Sequence, residues 1–192
     1  MSPKRKPKNL MASKAKRFLS RCLSSLLAAL AVSLLPREQP SQYRLTSIFA
    51  TKVWDRDGNV KQDWCYAPNL RTNAGINWQA DVMGNGTQPA SARYIALTEN
   101  ATAPAAGDTT LTSELAVEGL SRALGTYAHT TDATSYTISY LFTKTGATAR
   151  TINKYGLFNA ASSGTMPFES AMPNPPVLTA ADTIAVTVTI NI

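Results

Sequence analysis

The last ten residues of the chain alternate between two chemical types. Branched apolar residues occupy every second position from Ile184 to Ile192, and small or polar residues occupy the positions between them. A period of two places all the apolar side chains on one face of an extended strand. Residues 183–192 therefore predict a half-buried strand that ties this end of the chain into a sheet.

Similar patterns recur from residue 41 onward. Tyr136, Ile138, Tyr140 and Phe142 alternate with polar residues, and other extended runs are separated by turn-forming residues. About seven to nine short strands without helical crossovers are typical of antiparallel sheets. We therefore predict a mainly β fold for residues 41–192, an antiparallel β-sandwich or jelly-roll-like domain with one short helix.

Two segments between the strands carry local signals. The Asp-Gly pair within residues 55–59 predicts a hairpin turn, and the spacing of glycine and glutamate does not match a calcium loop. Residues 69–83 predict the helix, with Thr72 or Asn73 as its N-cap and Gly84 as a left-handed C-cap. Apolar residues at helical spacing mark its expected buried face: Ile76, Ala80 and Met83.

Residues 1–40 form a basic arm. They hold nine Lys or Arg and one Glu, a net charge of +8, whereas residues 41–192 hold ten Lys or Arg and eleven acids, a net charge of −1. The near-neutral body disfavours a dedicated nucleic-acid reader. The candidate attachment residues of the arm are Lys4, Arg5, Lys6, Lys8, Lys14, Lys16, Arg17, Phe18, Leu19, Leu23, Leu26, Leu27 and Leu30.

The apolar run Phe18–Leu35 within this arm has three interpretations. It forms an amphipathic helix that docks on a neighbouring subunit, it is the core of a cleaved secretory signal, or it contacts a membrane surface or nucleic acid. Arg21 interrupts the run, and the run is too short for a comfortable membrane span. We favour the hypothesis of an assembly arm, and the signal peptide remains an alternative interpretation.

Few side chains are suited to catalysis or to metal binding. The chain has one histidine, His129, and two cysteines, Cys22 and Cys65, which are too few for a Cys/His zinc site or a disulfide framework. No histidine or carboxylate pair sits in a recognisable catalytic context. We therefore expect a protein that is not an enzyme and that has no cofactor or metal.

Aromatic residues gather near the predicted hairpin. Trp54, Trp64 and Tyr66 are candidates for a subunit interface or, alternatively, for a platform on which a glycan stacks.

Five segments of the chain form a recognisable series. They are Asn69–Gly75 (NLRTNAG), Ala92–Thr98 (ARYIALT), Thr102–Leu111 (TAPAAGDTTL) followed by Glu114, Tyr155–Met166 (YGLFNAASSGTM) and the alternating C-terminal strand. Together these segments resemble small structural proteins of tailed bacteriophages, a group of head-decoration, tail-fibre-like and minor capsid-associated proteins. Arg122 matches an arginine that commonly follows the third segment in that group. The similarity covers about two-thirds of the chain, although Thr98-Glu99-Asn100 replaces a glycine-containing turn and the basic arm has no counterpart.

The resemblance implies a virion component. We expect a multi-copy accessory protein that binds other virion proteins of the capsid, neck or tail and other copies of itself, through the loops Thr98–Leu111 and Ser162–Pro176 and through the basic arm. A receptor- or glycan-binding tail-fibre module for a host-surface glycan is the alternative. An exported bacterial β-domain with a cleaved signal peptide is the second alternative.

Overall fold

The fold was analysed on a computed structural model, which describes residues 46–85 and 89–192. The basic arm and all its candidate attachment residues lie outside this range. One helix is found in the described part, α1 Asn73–Gly84. The strands, in chain order, are β1 Thr46–Trp54, β2 Val60–Pro68, β3 Leu70–Arg71, β4 Tyr94–Thr98, β5 Ala123–Leu124, β6 Thr126–His129, β7 Ser135–Thr143, β8 Arg150–Thr151, β9 Lys154–Phe158, β10 Phe168–Ala171, β11 Val177–Leu178 and β12 Thr183–Asn191.

The strands form two five-stranded antiparallel sheets, as the sequence predicts. The first sheet has the order β2-β1-β12-β7-β6, and the second has the order β3-β10-β9-β4-β5. A small pair, β11 and β8, lies beside them. The predicted C-terminal strand is the central strand of the first sheet, where it pairs with β1 and β7 along its whole length.

The core lies between the two sheets. The alternating side chains of β12 from Ile184 to Ile190 are buried there, while Ile192 lies beyond the strand and is exposed. Phe49 of the first sheet stacks on Tyr155 of the second, with ring centroids 4.3 Å apart. Both residues belong to one continuous cluster of buried apolar side chains, so the sheets form a single sandwich.

Two of the crossings between the sheets are tight corners, and the other two run through β8 and β11. Asn69 connects β2 to β3, and Gly125 connects β5 to β6. A Cβ on Gly125 would lie 2.5 Å from a side-chain carbon of Ile138, so the tight bend needs glycine.

The predicted N-cap of helix α1 is confirmed, and its predicted C-cap is not. The hydroxyl oxygen of Thr72 accepts a hydrogen bond from the Gly75 N–H at 2.9 Å, which is the N-cap geometry. The prediction of a left-handed Gly84 cap was wrong: Gly84 is the last helical residue, and Asn85 follows in an extended conformation. The Asn85 N–H donates to the Asp81 carbonyl, which completes the last turn without a left-handed residue.

The buried face of α1 also differs from the prediction. Ile76, Ala80 and Met83 are exposed, and Gly75 is the buried residue of the helix. A Cβ on Gly75 would lie 2.3 Å from the Pro167 carbonyl oxygen. The helix therefore approaches the body through backbone contact at its first turn, and its apolar spacing does not mark a core face.

The outer faces of the two sheets differ. Ala96 and Phe158, on the outer face of the second sheet, pack against Leu111 and Met166 from the loops that follow β4 and β9. Every residue of β9 is consequently buried, on both faces. The outer face of the first sheet has no comparable apolar cluster among the described residues, and it is the open side of the sandwich.

Candidate functional site

The candidate site is the outer face of the first sheet, which we call the open face. Phe49, Thr51 and Val53 of β1 point into the core, so the residues between them point outward. Strand register extends this assignment to the neighbouring strands. The open face comprises Ile48, Ala50, Lys52, Trp54, Trp64, Tyr66, Thr137, Ser139, Leu141, Ala185, Thr187 and Thr189.

Charge is nearly absent from the open face. Lys52 is the charged side chain among its residues, and its ammonium lies 3.0 Å from the Asp63 carboxylate. The hydrogen bond from Lys52 lowers the pKa of Asp63, so the pair stays ionised and neutral overall. The remaining positions carry methyl, hydroxyl and aromatic groups. A sheet face of this composition resembles the core of a protein interface, where charged residues are depleted and aromatics enriched.

The structure brings the predicted aromatics Trp54, Trp64 and Tyr66 onto this one face. The Lys52 ammonium lies 5.5 Å from the centroid of the Trp54 ring and 6.0 Å from that of Trp64. Tyr66 lies opposite Ala50, further along the same two strands. Trp64 is 37% exposed, and Leu141 at the far side of the face is 53% exposed. The aromatics form one end of a larger apolar surface.

The turn before β2 is held by its own side chains. The Asp55 carboxylate accepts hydrogen bonds from the backbone N–H groups of Asp57 and Asn59, each at 2.9 Å. Gly58 adopts φ +83°. These contacts confirm the hairpin turn, and the hydrogen bonds from Asn59 lower the pKa of Asp55.

The other chemically active side chains have ordinary surroundings. His129 is exposed, and one ring nitrogen lies 3.1 Å from the Ala133 carbonyl oxygen. Cys65 is buried with a free thiol. Within residues 46–85 and 89–192, no three His, Cys, Asp or Glu side chains are grouped to hold a metal ion. The helix of this part is too short and too polar to cross a membrane.

Each of the two loops expected to contact neighbours also buries an apolar residue against this chain. Leu111 of the loop after β4 and Met166 of the loop after β9 are buried against the second sheet. The loops after β4 and β9 together form what we call the covering layer of the second sheet, and Arg122 stabilises it. Its guanidinium lies 3.6 Å from the centroid of the Phe158 ring and makes a two-point ion pair with Glu114. It also donates to the carbonyl groups of Ala160 and Ser163.

Sequence reasoning missed four buried charges: Lys144, Lys154, Glu169 and Asp182. Lys154 begins β9, a strand that is buried on both faces. The nearly continuous apolar run of this strand is the only sequence signal that both of its faces are covered. The partner of each buried lysine comes from a distant segment, which local spacing does not indicate.

Comparison with known proteins gives no identification: no family model matches the chain, and no curated protein matches its sequence.

Proposed function

We propose that this chain is a non-enzymatic structural protein of a tailed-phage virion, present in many copies, that attaches to the capsid, neck or tail through contacts between subunits. The observation that carries the proposal is the one-sided sandwich. One sheet is covered by the chain's own loops, and the other presents a broad, nearly uncharged face with three aromatic residues.

The chemistry of the open face suits a protein partner. Trp and Tyr are enriched among the residues that contribute most of the binding energy at interfaces, and desolvating apolar side chains carries little of the penalty attached to charges. Ile48, Trp64 and Leu141 are exposed apolar residues on this face. We propose that other copies of this chain and other virion proteins bind the open face.

The N-terminal arm is the second element of the proposed attachment. Strand β1, which begins at Thr46, belongs to the sheet that carries the open face. The arm carries a net charge of +8. Such a charge speeds and orients docking on an acidic neighbour.

The resemblance to tailed-phage proteins supports the same function, because its segments include contacts that build the covered side. Thr72 caps α1 within NLRTNAG, and the buried Leu111 ends the third segment. Arg122 stacks on Phe158 of the fourth segment. The resemblance therefore rests on residues that determine this architecture, while the open face and arm provide the attachment.

The test combines intact mass with copy number in purified particles. We expect the full-length chain in a copy number comparable with that of a major shell or tail protein. We also expect Leu141→Arg, on the open face, to reduce incorporation at least tenfold at unchanged thermal stability, because it buries an unpaired charge in the contact. The matched control is Val117→Arg, an exposed apolar residue of the covering loops.

Two results contradict this proposal. Equal incorporation of the Leu141 and Val117 variants removes the open face from attachment. A mature chain that lacks its first ~30–35 residues, the length of a signal segment, indicates an exported β-domain instead of a docking arm.

Glycan binding is the second candidate function, and Trp54 and Trp64 on either side of Lys52 favour it. Sugar rings stack on exposed aromatic faces, and a flanking cation or carboxylate orients their hydroxyl groups. On a panel of bacterial surface polysaccharides, Trp64→Ala is expected to weaken any such binding at least tenfold, with little dependence on salt. Leu124→Ala, an exposed residue of the second sheet, is the control. The absence of binding by the unmodified chain contradicts this candidate.

A further inference from the structure

Lys154 and Glu169 lie side by side under the covering layer of the second sheet. Strands β9 and β10 pair so that Glu169 is opposite Gly156, which places the two side chains on the same outer face. They are 3% and 1% exposed. The Lys154 ammonium nitrogen is 3.7 Å from Glu169 Oε2, and that oxygen has no hydrogen-bond partner.

Asp108 completes the group from the loop after β4. The Ala105 N–H donates to Glu169 Oε1 at 3.1 Å and to Asp108 Oδ2 at 3.0 Å, which holds the two carboxyl groups together. Burial, and then the hydrogen bond with Asp108, raise the pKa of Glu169 to about 7. The same hydrogen bond lowers the pKa of Asp108. Glu169 therefore holds a proton more readily than Asp108, so its protonated form is accessible near neutral pH while Asp108 is a carboxylate.

We propose that Lys154 and Glu169 condense into an intramolecular amide cross-link between β9 and β10, with Asp108 as the acid–base group. The site holds the three components of such a reaction. The lysine supplies the nucleophile, the protonated Glu169 carboxyl is the electrophile, and the Asp108 carboxylate accepts and returns protons.

The reaction balances within these three side chains. The Asp108 carboxylate takes a proton from the Lys154 ammonium, relayed through Glu169, and leaves a neutral amine. The amine attacks Glu169 Cδ, the Nζ–Cδ bond forms, and the carbonyl electron pair moves to Oε1, where the Ala105 N–H stabilises it. Asp108 takes a proton from nitrogen and gives one to Oε2, the Cδ–Oε2 bond breaks, and water leaves. Asp108 ends protonated.

The surroundings favour this condensation. Two groups held in contact react with a high effective concentration, and a site that excludes water draws the equilibrium toward the amide. The product also removes the buried ammonium charge of Lys154, whose desolvation is costly, and leaves a neutral amide in its place. Tyr155 is the other titratable side chain that Glu169 influences, and its hydroxyl is already bonded to Asn69.

The second buried lysine shows why the reaction is specific. Lys144 is 2.8 Å from Glu118 and donates to the Gly146 carbonyl at 2.6 Å. Hydrogen bonds from Lys144 and Arg150 lower the pKa of Glu118, so it remains a carboxylate, which a nucleophile does not attack. Lys144 therefore serves as the internal control.

The test is the intact mass of the folded full-length chain. We expect a mass lower than that of the sequence by one water molecule, and a tryptic peptide in which Lys154 and Glu169 are joined. Lys154→Met is expected to abolish the loss, and Asp108→Asn is expected to slow it at least tenfold while the protein remains folded. Lys144→Met is expected to retain it.

Two outcomes overturn the cross-link. One is a folded chain that keeps its full mass after prolonged incubation between about pH 5 and pH 8, the range that brackets the titration of Glu169. The other is a water loss that fragmentation places elsewhere, as at the Asp57-Gly58 pair of the hairpin turn. Both readouts use the unmodified chain, so the proposal stays testable where a variant fails to fold.

Discussion

Replacing Phe49 with alanine is expected to lower the free energy of unfolding by about 3–5 kcal/mol. The Phe49 side chain is 0% exposed and stacks on Tyr155 of the opposite sheet. Removal of its ring opens a cavity between two sheets whose backbones are fixed by strand pairing, so the site cannot collapse to fill it. The measurement is equilibrium unfolding by denaturant, and a fall in Tm of about 10 °C is expected alongside.

Ile48 provides the matched control for this prediction. It is the preceding residue of β1, it faces outward, and it is 39% exposed. Ile48→Ala is expected to change the free energy of unfolding by less than about 1 kcal/mol, because the side chain is only partly removed from water. Equal effects of the two variants contradict the assignment of β1 faces, and with it the definition of the open face.

The alternating strands were predictable from sequence because one of their faces meets water. In β12 each inward residue is branched and apolar and each outward residue is small or polar, so the period of two is visible. The same rule predicted β7, whereas the hairpin turn at residues 55–59 was predicted from its Asp-Gly pair. The central position of β12 was not predictable, since strand order depends on pairings between distant segments.

Helix α1 shows where a pattern misleads. Ile76, Ala80 and Met83 have helical spacing, yet they are exposed, and the helix contacts the body through Gly75 and the partly buried Trp78. A glycine that allows a neighbouring carbonyl group to approach closely contributes nothing to the apolar pattern of the sequence. The N-cap was predictable because it is local: Thr72 bonds a backbone group three residues ahead.

The candidate site was predictable only in part, for a similar reason. Trp54, Trp64 and Tyr66 lie on two strands joined by a short turn, so their meeting on one face follows from a hairpin. Leu141 and Thr187 join that face from strands far away in sequence. The buried charges near Lys154 depend on a loop that folds over the second sheet, which no short-range pattern encodes.

Replacing Glu118 with glutamine is expected to lower Tm by about 5–10 °C, because it leaves the ammonium of Lys144 buried without its counter-charge. Lys144 is 0% exposed and lies 2.8 Å from Glu118. Glu99→Gln is the control: Glu99 pairs with Arg150, which is partly exposed and also contacts Glu118. We expect a much smaller change there, since water solvates both partners.

The effect of Glu118→Gln should depend on pH with a defined sign. Hydrogen bonds from Lys144 and then Arg150 hold the pKa of Glu118 below its ordinary value of 4.5. The stabilisation is therefore fully present above about pH 4.5 and is lost as the pH falls through the lowered pKa. The Tm gap between the unmodified chain and the variant should narrow over that interval.

Lys144→Met added to Glu118→Gln should recover part of the loss, because no buried charge then lacks a partner. A gap that is constant with pH, or a double variant less stable than Glu118→Gln alone, contradicts the role of this pair in holding the covering loops to the end of β7.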